Sequence, residues 1–164
     1  MKSLKFLIIL ATTFVIAQYL SHTAYSIGLY AFVTLPGTFL HELAHYTTAA
    51  FMAGRPTGFN LIPSGNTLGS VQFYPNWYNA ASVGLAPFLL APLTFFLAAI
   101  AARSNNPIKM LVFSYFAACS WVACTPSPAD FSIAMAPTSW PTALVFLALS
   151  TFITYKTTRA LLRS

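Results

Sequence analysis

The sequence predicts an all-α polytopic membrane protein, with about five transmembrane helices and a short β-hairpin between the second and third. Three observations lead there. Hydrophobic residues make up 57% of the 164 residues and charged ones only 6%, against roughly a quarter charged in a soluble domain. Such a chain cannot build a water-facing surface all round. The apolar residues fall into long runs broken by short polar stretches, and one interval, 55–78, changes to Gly, Pro, Asn and Ser with brief alternating segments. One domain over residues 1–164 is expected, since this length leaves no room for a separate soluble module.

The first run spans about Leu4 to Leu20 behind Lys2 and Lys5. It reads as a retained helix, although the same pattern suits a secretory signal with Ala24-Tyr25-Ser26 as the cleavage site. The second run, about Tyr25 to Ala53, contains Leu35-Pro36-Gly37, which should kink or break the helix. Phe59–Ile62 and Leu68–Phe73 read as strands around the turn Pro63-Ser64-Gly65-Asn66-Thr67. A third helix is expected from about Ala80 to Ala102, with Pro87 and Pro92 inside it, and a fourth from Ile108 to about Cys124. Two prolines in Thr125-Pro126-Ser127-Pro128-Ala129-Asp130 end the fourth. A last run covers about Ser139 to Tyr155, before Lys156, Arg159 and Arg163. Tyr25, Trp77, Tyr78, Trp140 and Tyr155 stand near run ends, where aromatic belts form.

The net charge of +6 comes from eight scattered Lys and Arg against two acids. No basic cluster tracks a phosphate backbone, so nucleic acid is not an expected partner. Cys119 and Cys124 lie five apart in an apolar run. They read as buried free thiols, and as zinc ligands they would be redundant beside the histidines described next.

The two acids are Glu42 and Asp130, and Glu42 sits inside His41-Glu42-Leu43-Ala44-His45. Residues four apart share a helix face, so His41 and His45 can offer ring nitrogens to one cation. A catalytic zinc takes three protein ligands and leaves a position for water. Asp130 is the remaining acid and the natural third ligand; the alternative is a helix cap after the proline break. Glu42 is then the general base, taking a proton from the attacking water and passing it to the leaving amine. Two neutral imidazoles, two carboxylates and Zn²⁺ sum to zero charge, whereas a lone carboxylate mid-membrane costs about 2.5–3.5 kcal/mol. The alternative for the histidine pair is two buried polar residues packed in the bundle. With no further carboxylate to orient the imidazoles, their other N–H groups must find backbone carbonyls, water, or hydroxyls such as Thr38, Thr47 or Thr48. His22, between the first two runs, reads as an interfacial residue.

At 1.5 Å per residue, His41 lies roughly 25 Å along its helix, within a hydrocarbon core about 30 Å thick and close to its far face. The second and fourth helices are separated by one crossing and so run the same way. Parity therefore brings Asp130 to the membrane face that carries the histidine pair and the hairpin.

A membrane-embedded His-Glu-x-x-His helix followed by a short strand pair resembles the site-2 protease family of intramembrane zinc metalloproteases. Val83-Gly84-Leu85-Ala86-Pro87 is similar to the family's Ala-Gly-Pro signature, and Pro126-Ser127-Pro128-Ala129-Asp130 is similar to the Pro-rich break that supplies its third ligand. The similarity covers about 25–136. Ala129-Asp130-Phe131 departs from the usual Leu-Asp-Gly and has no Asn upstream, as in a divergent branch with a Ser-x-x-Asp context.

The resemblance implies hydrolysis of peptide bonds in or near transmembrane segments of membrane-protein substrates, with His41, His45 and Asp130 on zinc and Glu42 as base. An edge of the hairpin could capture an unwound substrate by strand addition, or the hairpin could be a simple surface connection. Asn60, Asn66 and Asn76 are candidates to clamp the peptide or stabilise an oxyanion. The expected setting is the lipid bilayer of the cell, crossed several times. The competing reading keeps the zinc and drops proteolysis, giving a membrane sensor or scaffold; a transporter is disfavoured by the lack of repeated halves. The resemblance also places the active face toward the cytosol with Lys2, Lys5 and Arg55. Five alternating crossings then send Arg103, Lys109 and the C-terminal cations to the opposite face, against the positive-inside tendency.

Overall fold

Proline placement explains most of the segmentation. The computed structural model describes residues 2–22, 27–64, 68–136 and 139–163. In chain order these form α1 (Lys2–His22), α2 (Ile27–Phe51), β1 (Gly58–Asn60), β2 (Ser70–Gln72), α3 (Ala80–Gly84), a 3-10 turn (Ala86–Leu90), α4 (Ala91–Arg103), α5 (Pro107–Ala123), α6 (Pro128–Ala134) and α7 (Trp140–Arg163). The 3-10 turn, α4, α5 and α6 each carry a proline in their first turn, where its missing N–H leaves no helical bond unmade. Pro87 and Pro92 therefore divide the expected Ala80–Ala102 helix into three pieces. Pro36 does the opposite. It lies inside α2, which is not broken there.

The hairpin pairs Gly58 with Gln72, Phe59 with Val71 and Asn60 with Ser70, antiparallel. Its strands are shorter than expected, and Gly65-Asn66-Thr67 at its tip and the stretch Ala24-Tyr25-Ser26 lie outside the described residues. The chain leaves α2 through Ala53 and Arg55, both at positive φ around Gly54. Tyr74 N–H then bonds back to the Gly54 carbonyl at 2.8 Å, tying the hairpin's exit to its entry. α7 runs on to Arg163, well past Tyr155, because Lys156 and Arg159 extend the helix instead of ending it.

Helix directions follow from their contacts. The Tyr115 hydroxyl donates to the Val33 carbonyl, and His41 reaches the Ala123 carbonyl, so α2 and α5 run the same way, as parity requires. α4 returns against them. Phe6 and Ile9 of α1 pack on the small residues Ala98, Ala99, Ala101, Ala102 and Ala117, and Lys5 Nζ donates to the Ser104 carbonyl at 2.8 Å. α1 thus begins beside the α4–α5 turn and rises along α5, with Phe14 edge-on to Trp121. This corrects the expectation that alternating crossings would separate Lys5 from Arg103; the alanine-lined groove takes α1 in the other sense. α7 starts near the site, where Ala143 packs with Ala81, Leu85 and Ala134, and ends where Arg103 donates to the Leu161 carbonyl.

Large apolar side chains, among them Phe32, Phe51, Leu111, Leu144 and Phe152, face outward along the bundle. Among the described residues, the segment Ala86–Arg103 is long and apolar enough to cross a membrane, and α5 with α6, bent by 52°, qualifies as a broken second span. Lys156, Arg159 and Arg163 make α7 less apolar than the other long helices.

Candidate metal centre

α2 presents His41, Glu42 and His45 within just over one turn, and α6 brings Asp130 across to meet them. His41 Nε2 lies 3.4 Å from Asp130 Oδ2, and His45 Nε2 lies 3.4 Å from Asp130 Oδ1. The two Nε2 atoms are 3.1 Å apart. One donor atom from each residue falls within 4.8 Å of the others, close enough to hold a metal ion.

The backbone fixes the imidazoles. His41 Nδ1 is 2.8 Å from the Ala123 carbonyl and His45 Nδ1 is 2.7 Å from the Val83 carbonyl. A carbonyl oxygen only accepts, so both Nδ1 atoms carry the hydrogen and both Nε2 lone pairs point at one spot. Two lone pairs at 3.1 Å repel unless a cation, either a proton or a metal, sits with them. The adjoining carboxylate suits the same cation. These donors fit the borderline-soft divalent metals that imidazole and carboxylate together favour.

Asp130 serves the helix as well. Ser127 N–H donates to Asp130 Oδ2 at 2.7 Å, and Asp130 N–H donates to Ser127 Oγ at 3.2 Å. This is a capping box at the start of α6. The cap and the ligand were alternatives in the sequence; the carboxylate that caps α6 also stands within the His-His-Asp group. The close seat of α6 depends on Gly84, where a Cβ would come within 2.6 Å of the Asp130 carbonyl oxygen.

Glu42 is buried. Among the described residues nothing donates a hydrogen bond to its carboxylate. The hairpin leans on it: a Cβ on Gly69 would meet Glu42 Cγ at 2.8 Å and Oε1 at 3.0 Å. His41, Glu42, His45, Asp130 and Leu68 to Val71 line a cleft of about 430 Å³. It extends along α2 past Thr38 and Thr34 to Tyr30, facing Cys119, Val122 and Ala123 of α5.

Neither Asn60 nor Asn76 lines this cleft. Asn60 Oδ1 accepts from Ile62 N–H in its own turn, and Asn66 lies outside the described residues. Asn76 Oδ1 accepts from the backbone of Tyr78 and Asn79, while Asn79 Oδ1 accepts from Asn76 N–H. Asn79, fully buried, was not singled out in the sequence; its Nδ2 donates to the Tyr74 carbonyl at 3.2 Å and so ties the hairpin to α3. An Asn pair three apart at the end of a Pro- and Asn-rich stretch was the available signal. Thr38 and Thr47 bond back to their own helix rather than to the imidazoles. Cys119 and Cys124 are free and buried.

The described residues define a mostly helical protein with a two-stranded hairpin and a His-His-Asp group able to hold a metal ion. Compared with models of known protein families, with curated proteins and with solved structures, the chain matches none of them.

Proposed function

We propose that this chain is an intramembrane zinc metalloprotease of the site-2 protease type, which hydrolyses peptide bonds in or near transmembrane segments of membrane-protein substrates. The observation that carries the reading is the convergence of both Nε2 lone pairs and the Asp130 carboxylate on one spot, with the buried Glu42 beside them in the same cleft. Asp130 reaches that spot from 85 residues away in sequence, which a chance His-x-x-x-His spacing does not require.

His41, His45 and Asp130 would hold the zinc. The ion would supply an electropositive centre that acidifies water and polarises the scissile carbonyl. Glu42 takes the proton from the attacking water and returns it to the departing amine; burial beside unsatisfied space suits a group that must exchange protons instead of holding a salt bridge. The Ala123 and Val83 carbonyls keep both imidazoles in the Nδ1–H tautomer. β2 borders the cleft and has one edge unpaired among the described residues, so an unwound substrate can add to it as a strand.

The setting we infer is a cell membrane, crossed several times, with about five membrane-embedded helices: α1, α2, the 3-10 turn with α4, α5, and α7. Outward-facing Phe, Leu and Ile along these helices support lipid contact, since monomeric soluble proteins rarely expose such extended apolar surface.

Zinc content of detergent-purified protein tests the reading. About one zinc per chain is expected, lost in Asp130→Ala and kept in Glu42→Ala, with hydrolysis of a transmembrane reporter lost in both. Folded wild-type protein without zinc overturns the metal. Zinc in a wild-type protein that hydrolyses the reporter no better than Glu42→Ala overturns the protease and leaves the sensor or scaffold.

A further inference from the structure

The positive charges, scattered in sequence, collect in space. Lys5 of α1 bonds the Ser104 carbonyl, and Arg103 at the end of α4 bonds the Leu161 carbonyl of α7. Lys109 stands in the first turn of α5, directly after that bend, and Arg159 and Arg163 flank Leu161. Lys156 precedes Arg159 by three residues on the same helix. Six of the eight Lys and Arg, namely Lys5, Arg103, Lys109, Lys156, Arg159 and Arg163, therefore belong to one end of the bundle, and Arg55 belongs to the hairpin end. No acidic side chain answers them, because Glu42 and Asp130 are both in the metal centre. Along α5 the two ends stand roughly 20 Å apart.

We propose that this basic end is a docking surface for anionic phospholipid headgroups. The apolar collar around it selects lipid over a soluble anion or nucleic acid. Leu4, Ile108, Leu111 and Leu162 are each more than half exposed beside the cations. Cations with bare leucine and isoleucine at their base match the boundary between headgroup and acyl chain, where long basic side chains reach phosphate while their stems stay apolar. A polyanion in water would leave that collar wet. The opposite end differs in kind: Tyr74, Trp77, Tyr78 and Trp140 are exposed there, the neutral aromatic residues that settle at an interface without needing its charge.

The proposal rests on the membrane reading above and is independent of proteolysis. Its test is the melting temperature of the full chain in nanodiscs of phosphatidylcholine alone or mixed with phosphatidylglycerol. Anionic lipid is expected to raise the wild-type melting temperature. The triple variant Lys109→Gln, Arg159→Gln, Arg163→Gln should lose more than half of that rise, and Lys109→Arg with Arg159→Lys and Arg163→Lys should keep it. Inorganic phosphate added to detergent-solubilised protein should have no comparable effect. Equal melting in the two lipids, an undiminished response in the triple Gln variant, or a match by free phosphate each overturn the surface. A chain that stays monodisperse in water without detergent overturns the membrane reading and this proposal with it. Retained zinc in the triple Gln variant separates loss of the surface from loss of the fold.

Discussion

The two ends of the bundle are specified by different physics. At the His-His-Asp group three side chains have assigned partners: two imidazoles on two named carbonyls, one carboxylate shared between a helix cap and both rings. Backbone presses on side chain so closely that glycine is needed at Gly69 and Gly84. At the basic end Lys5 and Arg103 reach backbone carbonyls, and Lys109, Arg159 and Arg163 are exposed. The first end depends on positions to within a fraction of an ångström. The second depends on total charge, which many arrangements provide. Single-atom changes should therefore be severe at one end and whole-residue changes mild at the other.

Glu42→Gln tests the steepest part of that contrast. It keeps the shape and removes the base, so hydrolysis of a transmembrane reporter should fall about 10²–10⁴-fold, while zinc measured by elemental analysis stays. Gly84→Val comes next. Its Cβ meets the Asp130 carbonyl at 2.6 Å, so α6 must move, with a cost of about 1–3 kcal/mol in a thermal melt and a drop in zinc occupancy. Ser127→Ala removes the cap that aims Asp130, and zinc affinity in a competition titration should weaken about 10–100-fold; Ser127→Thr should restore it. Arg159→Ala is the control at the other end. Its guanidinium touches the Tyr155 hydroxyl at the surface, and in detergent neither melting temperature nor zinc affinity should change measurably. A large effect there, or a silent Gly84→Val, would break the comparison.

The local signals in the sequence carried far at the site and less far in the fold. The His-Glu-Leu-Ala-His spacing placed three side chains on one helix, and parity placed Asp130 with them, because both follow from helix geometry alone. Which groups would orient the imidazoles did not follow. The Ala123 and Val83 carbonyls belong to segments ending near the site only after packing, and a carbonyl has no residue identity to read. The prolines were visible, but their effect depends on position: Pro87 and Pro92 start new segments while Pro36 is absorbed. The sense of α1 was illegible for a similar reason. It is set by an alanine groove between α4 and α5, which exists only once those helices have met.

Asp130 occupies the third position of α6 and bonds the residue that caps it. Any ion held by His41, His45 and Asp130 is thereby latched to a helix end, and helix ends open and close continually. The first turn of α6 cannot unwind with Asp130 still in place, nor can Asp130 swing away without giving up its bond to the Ser127 N–H. Escape of such an ion and fraying of that turn are thereby coupled. Exchange kinetics at this centre should follow the breathing of a seven-residue helix, and a tighter cap would slow the exchange even where the equilibrium affinity is unaltered.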